Sequence, residues 1–371
     1  MRKNKPLIVV GLFVLILAII FIVKTAGFYP FLFHLVFDKG VNLKQGDNKI
    51  NILLLGIGGG SHDGPNLTDT IILANLDLKN NKVTLASIPR DLWIPDLTRD
   101  DKKVNNAYAD GELKRIGGGI LLAKAAVNKI VGQEIDYVVR IDFSGFVQAV
   151  DIIGGLDINV DNAFDDYAYP ISGKEDDICG LMQDEIQQFI ATDPAELVMQ
   201  QKFPCRYKHL HFDKGLQHMN GETALEYVRS RHAVQEVEVS DFARSKRQEK
   251  VIKAFKDKIL TAQTLVNPGK IISLYNVLRG SIDTDIKQDE FDDFVRLSQK
   301  INKASIQSAI IDIGDKQMGR AGLLIHPSIT SEYNYEWVLI PRIGNGNFSE
   351  IQKYISCEIT IGNCSVSQKP Q

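Results

Sequence analysis

The chain is poor in the residues and patterns that mark several common functions. Its 371 residues hold four cysteines and two tryptophans, and no internal repeat or low-complexity tract runs through them. No Cys-x-x-Cys pair is present and no histidine cluster stands beside the cysteines, which turns the reading away from a structural zinc site. Neither sign of charge dominates: 43 Lys and Arg face 46 Asp and Glu, a net charge of -3, which argues against bulk binding of a polyanion such as nucleic acid despite the basic stretches "RSRH" and "RSKRQEK". The glycine-rich stretch "LLLGIGGGSHDGPNLTDT" lacks the closing Gly-Lys-Ser/Thr of a nucleotide loop. It also lacks the helix that follows a dinucleotide fingerprint.

One long uncharged run is present. Residues 6–23, "PLIVVGLFVLILAIIFIV", follow a basic "MRKNK" and nearly reach the length that crosses a ~30 Å hydrocarbon core. The flanking charge predicts a cytoplasmic N-terminus of residues 1–5, one transmembrane helix, a juxtamembrane linker over 24–48 and an exported remainder, placing the protein at the cell membrane as a single-pass chain. "KTAGFYPFLFHLVF" offers no small-residue cleavage site, so a removed signal peptide is the weaker reading. Export suits disulfides, and the spacing predicts two: Cys179–Cys205, bracketing an apparent insertion, and Cys357–Cys364, flanking a strand-turn "EITIGN".

From Asn51 onward strand and helix signals alternate, predicting a mixed α/β or α+β fold, a central mixed sheet covered by helices. "INILLLG", "TIILANLDL", "KVTLASIP", "DYVVRIDF" and "LDINV" read as strands. "GGILLAKAAVNKIVG" and "FSGFVQAVDIIGG" read as helices ended by glycine. Periodicity fades over about 161–210, read as a loop-rich insertion, and "SDFARSKRQEKVIKAFKDKIL" is a long helix. The main domain spans 49–260, with 261–371 a C-terminal extension packed on it or appended to it. Near the end, "NYEWVLIPRIGNGNFSEIQKYI" reads as strand, turn and helix, with its Pro-Arg structural.

Three groups of residues carry chemistry. A hairpin turn centred on Asn80 and Asn81 sets Thr70 near Asp91 and Ile71 near Arg90, so Asp69 lies beside "PRD" and the glycine loop with His62 and Asp63. A carboxylate, an arginine and a glycine loop at one sheet edge suit a metal and a phosphate held together. In "YVRSRH", read as a strand, Arg229 and Arg231 share a face and repel unless an anion sits between them, though a solvated pair is an equal alternative. On the long helix Asp241, Arg244 and Gln248 share the stripe that continues as Val251, Ile252, Phe255 and Ile259. Asp241 also reads as a helix N-cap, and Lys246 and Arg247 as a solvated face.

Together with "SIPRDLWI", "KVNNAY" and "HLHFDKGLQHMNGETALEYVRSRH", these stretches resemble the LytR-CpsA-Psr family of cell-wall glycopolymer transferases over about 51–260. The resemblance implies an enzyme that moves a glycopolymer, such as a teichoic acid, from an undecaprenyl-pyrophosphate carrier to a peptidoglycan acceptor through a phosphodiester, with Mg²⁺ as cofactor and Mn²⁺ an alternative. It implies pyrophosphate contacts at Arg90, Lys103, Arg229, Arg231, Arg244 and Gln248, a further motif residue at Asn105, and a metal ligand at Asp69. Asp91 or Asp241 would orient the acceptor hydroxyl or take its proton. Family members carry an Asp where this chain has Gly58, and Asp63 is the substitute expected, because Mg²⁺ prefers oxygen ligands. Leu121, Leu122, Val127 and Ile130, or Phe143, Phe146, Val147 and Val150, are candidates to line a polyprenyl groove, with core packing their default. A polyprenyl-pyrophosphate hydrolase and a non-catalytic lipid- or glycan-binding protein are the competing readings.

Overall fold

The computed structural model describes residues 42–44, 46, 48–60, 64–97, 101–182, 201–259, 261, 267–301, 304–315 and 319–368. The apolar run 6–23 lies outside the described residues, and among those described no helix is long and apolar enough to cross a membrane. The chain divides into two compact units, Met1–Lys44 with Ile286–Ile301, and Gln45–Asp285 with Asn302–Gln371.

In the larger unit β1 (Lys49–Ile57), β2 (Thr68–Asp77) and β3 (Lys82–Ser87) form an antiparallel meander. The chain then passes through α1 (Asn106–Lys114) and α2 (Gly118–Val131) to β4 (Tyr137–Asp142), which runs parallel to β1, and a parallel pair needs a crossover of this length. Next come α3 (Phe143–Ile153), β5 (Leu156–Val160), β6 (Phe164–Pro170), β7 (Tyr207–Phe212), β8 (Gly215–Met219), α4 (Gly221–Arg229), α5 (Asp241–Ile259) and α6 (Pro268–Ser281). Two late strands complete the sheet: β9 (Ile282–Thr284) pairs antiparallel with β4, and β10 (Ser305–Ile310) pairs parallel with β3. The six-stranded order is β10-β3-β2-β1-β4-β9. The edge strands thus come from the part of the chain after residue 260.

The sequence explains these elements directly. β2 is buried over an unbroken run because helices cover both of its faces. Leu53, Leu73 and Val138 of the sheet pack with Val127 and Ile130 of α2, each no more than 1% exposed. α2 starts after Gly117 and stops at Gly132, both in the left-handed region that ends helices at glycine. A second core joins Val150 and Ile153 of α3 to Phe164, Phe212, Tyr227 and Val251. In β5 burial alternates residue by residue, as the two-residue strand period requires. α3 and α4 cross at Gly221, where a Cβ would meet the Val147 carbonyl oxygen at 2.2 Å. Val127, Ile130, Phe143 and Val150 are core residues, whereas Leu121 is half exposed.

Some expectations change. The first hairpin turns over residues 78–81, with Asp77 opposite Lys82 and Ile72 opposite Ser87, so the register differs from that of a turn centred on Asn80 and Asn81. The cause is Asp77, whose Oδ1 accepts from the Lys79 and Asn80 amides and closes the turn early. Burial raises the Asp77 pKa, but the donors at Asn80, the charge of Lys49 and the Lys79 amide outweigh it and leave the carboxyl below its ordinary 3.8. The fold therefore favours the ionised form, and its contribution is present above the ordinary value and lost as the pH falls through the lowered one. Asp77→Ala is expected to cost about 1–2 kcal/mol at neutral pH. Urea unfolding should show that cost shrinking in strong acid.

The stretch read as loop-rich contains β6 and ends in β7, which pair across it. Cys179–Cys205 closes part of this excursion, and Cys357–Cys364 forms as well, at Cα separations of 5.5 and 6.2 Å. The second pair does not flank a strand and turn: Cys357 lies in the helix Ser349–Thr360. The Pro-Arg near the end is structural, since Arg342 pairs with Glu350 of that helix. In the smaller unit, the helix Phe291–Lys300 carries Asp293, which accepts from the Asn42 amide at 3.0 Å and pairs with Arg296 at 2.8 Å.

Candidate active site

The site forms where β1 and β4 end and β2 begins. Gly56 pairs with Thr70 and Ile57 with Thr68, so Asp69 is the extra residue of a bulge. A bulge re-aims the unpaired side chain, and here it sets the Asp69 Oδ1 2.5 Å from Arg90 Nη1. Asp91 Oδ2 lies 3.5 Å from Arg90 Nε. Burial works against the Arg90 charge, but Asp69 and Asp91 outweigh it and raise the guanidinium pKa. Asn105 ties these pieces together through its backbone, accepting from the Thr68 amide at 3.0 Å and donating to the Arg90 carbonyl at 3.2 Å.

The glycine loop presses against α3. Gly59, in the left-handed region, has its Cβ direction 2.8 Å from Asp142 Cβ. Asp142 caps α3 by accepting from the Gly145 amide at 2.7 Å. This carboxylate was missed by sequence reasoning, although an Asp closing a strand just before "FSGF" is a recognisable N-cap signal. Asp63 and His62 lie outside the described residues.

Arg229 and Arg231 are not on a strand. Arg229 ends α4, and Arg231 follows in a loop that buried Asp166 fixes, its Oδ2 accepting from Ser230 Oγ at 2.6 Å and from the Arg231 and His232 amides at 3.2 Å. The helix wins because "ETALEYV" buries Ala224, Leu225 and Tyr227 at helical spacing. Burial, then the positive charges of Arg244 and Arg90, depress the Arg231 guanidinium to about 9, with Asp69 and Asp91 pulling the other way. Arg231, Arg90 and Arg244 thus share one electrostatic environment with the two carboxylates. Arg229 lies 4.2 Å over the Phe143 ring and 5.7 Å from the Tyr169 ring, and donates to the Tyr169 hydroxyl at 3.3 Å. Aromatic stacking fixes a guanidinium plane while leaving donors for an anion. Burial pushes the Tyr169 hydroxyl up to about 12, so it stays protonated.

On α5, Gln248 is buried with its Oε1 3.5 Å from Ser87 Oγ, beside a narrow crevice lined by Ile72, Leu85 and Ser308. The helix N-cap is Ser240, whose Oγ accepts from the Ala243 amide at 3.1 Å, and not Asp241, which is the first helical residue; the Asp241 side chain lies outside the described features. Arg247 is not solvated: it is 3% exposed and donates to Glu238 Oε2 at 2.8 Å and to the Ser230 carbonyl at 2.8 Å. It thereby pins the residue before Arg231. Lys103 forms an ion pair with Glu336.

Three guanidiniums with two carboxylates at a sheet end form a set able to grip adjacent phosphates and to orient a hydroxyl. A family model, the LytR_cpsA_psr family, matches residues 36–327. The chain is similar to the polyisoprenyl-teichoic acid–peptidoglycan teichoic acid transferase TagU of Bacillus cereus, 29% identical over 246 residues, covering 66% of this chain and 62% of the relative. It is also similar to TagV of Bacillus subtilis, 27% identical over 257 residues, covering 67% of this chain and 53% of the relative. The chain therefore spans about half to three fifths of the length of these relatives. The crystal structure of B. subtilis TagV shares the fold with a TM-score of 0.52 at 23% identity, covering 85% of this chain and 98% of that one. With the model match covering most of its length, the chain belongs to the LytR_cpsA_psr family.

Proposed function

We propose that the chain is a membrane-anchored, extracytoplasmic phosphotransferase that moves a glycopolymer from an undecaprenyl-pyrophosphate carrier to peptidoglycan through a phosphodiester. The observation that carries this reading is Arg231, half-buried beside the like charges of Arg244 and Arg90 and the carboxylates of Asp69 and Asp91. Cations crowded in a poorly solvated place favour a polyanionic ligand, and a pyrophosphate supplies one of matching size. The names of the relatives TagU and TagV, teichoic acid transferases to peptidoglycan, support the substrate classes. Run 6–23 would serve as the anchor.

In this reading Arg90, Arg231 and Arg244 take the pyrophosphate oxygens, with Arg229, Gln248 and Lys103 as further contacts. An acceptor hydroxyl forms a bond to the phosphorus bearing the glycan while the bridging P–O bond breaks. Polyprenyl phosphate leaves with the electron pair, and the hydroxyl proton passes to Asp91 or Asp241. The donor set also suits magnesium, which takes one or two carboxylates and completes its shell with phosphate and water. Asp69, turned out of the ladder by its bulge, fits one such position, and Asp63 is proposed for the other. When bound, the ion neutralises charge on the phosphoryl oxygens.

Chelation tests this arrangement. EDTA is expected to lower transfer by about 100-fold or more, with recovery on adding Mg²⁺, and Asp69→Ala to behave as the chelated wild type does. Full transfer in EDTA would remove the metal from the account.

A further inference from the structure

The β6–β7 hairpin carries a cluster unrelated to the arginines. His209 and His211, two apart on β7, face the same way, and Asp165 of β6 sits directly across from His211. Asp165 Oδ1 lies 2.8 Å from His209 Nε2 and 2.8 Å from His211 Nδ1. One ligand atom from each of the three residues falls within 4.8 Å of the other two. The surroundings hold each ligand in place. Gln235 Nε2 donates to Asp165 Oδ2 at 3.2 Å, and the Tyr167 ring stacks on His209 at 4.1 Å. Asp213 Oδ1 lies 3.2 Å from His211 Nε2, the nitrogen that faces away from the cluster.

The geometry points to a divalent transition-metal site, and specifically a Zn²⁺ site, formed by Asp165, His209 and His211. Two imidazole nitrogens and one carboxylate oxygen make a three-ligand set of the kind zinc takes with a fourth position open. Nitrogen donors select against Mg²⁺ and Ca²⁺, so this site and the proposed magnesium site would take different ions. Asp213 stands where a carboxylate orients a metal-bound histidine through its other ring nitrogen. Both histidines are about half exposed, which leaves the fourth position open to water or to a ligand from outside. The neighbouring residue Asp166 anchors the Arg231 loop, so an ion here would brace the hairpin that holds that loop. This inference is independent of the proposed transfer.

The test is Zn²⁺ binding to the purified full-length chain in detergent, without a histidine tag, by competition with a chromogenic chelator. One ion per wild-type chain is expected, with affinity at least about 100-fold lower in His209→Ala, His211→Ala and Asp165→Ala, and about 10-fold lower in Asp213→Ala. Zn²⁺ should raise the melting temperature of wild type and not of the three ligand variants. Co²⁺ in place of Zn²⁺ should give the visible bands of a tetrahedral site in wild type and not in the three ligand variants. No uptake by wild type, or uptake unchanged in His209→Ala and His211→Ala, would overturn the assignment; melting curves of the variants without metal show that they are folded.

Discussion

Arg231→Ala is expected to lower kcat/KM for a polyprenyl-pyrophosphate substrate by about 10²–10³, roughly 3–4 kcal/mol of transition-state stabilisation. The expectation follows from the charges around it. Arg231 is placed among Arg90 and Arg244 at a cost in desolvation and repulsion, which a bound pyrophosphate would offset. Removing it relieves that repulsion in the free protein, so the melting temperature should hold or rise while turnover collapses. A loss of activity without a loss of stability separates a ligand contact from a structural one. Arg231→Lys should recover only part of the rate, because an ammonium cannot make the paired, planar contact of a guanidinium. Steady-state kinetics with thermal melts of all three proteins would check this. Wild-type kinetics in Arg231→Ala would remove the central contact of the proposed site.

The second large effect is expected at Arg247. Its buried pair with Glu238 is strongly interdependent: removing one partner leaves a charge in a place with little water, which costs about 3–5 kcal/mol. Arg247→Ala should therefore lower the urea midpoint sharply. Replacing both partners, Arg247→Met with Glu238→Leu, should restore most of the stability, because a well-packed apolar pair avoids desolvation altogether. Activity should stay low in the double variant, since the hydrogen bond from Arg247 to the Ser230 carbonyl is gone and Arg231 follows Ser230. Recovery of both stability and turnover would show that Arg247 positions nothing.

Much of the sheet can be read from local pattern. β1 to β5 and the helices α2 and α3 announce themselves by apolar runs and glycine stops, and the structure places them so. The meeting of Asp69 with Arg90 follows from the hairpin even though its turn is centred one residue earlier than expected. What escaped depends on contacts distant in sequence. Arg247 looks solvated because its partner Glu238 is held by a short turn before the helix begins. Lys103 finds Glu336, more than two hundred residues away. β6 and β7 pair across a long excursion, so neither their register nor the grouping of Asp165 with His209 and His211 shows in a local window. "YVRSRH" reads as a strand when only the alternation of its two arginines is considered. Burial of Tyr227 decided for the helix, which moves Arg229 onto Phe143 and leaves Arg231 with Arg90.

The identity of the product decides between transfer to peptidoglycan and the competing readings. The full-length chain in detergent would be given a synthetic polyprenyl-pyrophosphate sugar, a peptidoglycan oligomer and Mg²⁺, and the phosphorus-containing products resolved by mass spectrometry and ³¹P NMR. A sugar–peptidoglycan phosphodiester and polyprenyl phosphate are expected in equal amounts. A sugar phosphate released to water whether or not the oligomer is present, or tight binding with no product, would contradict it.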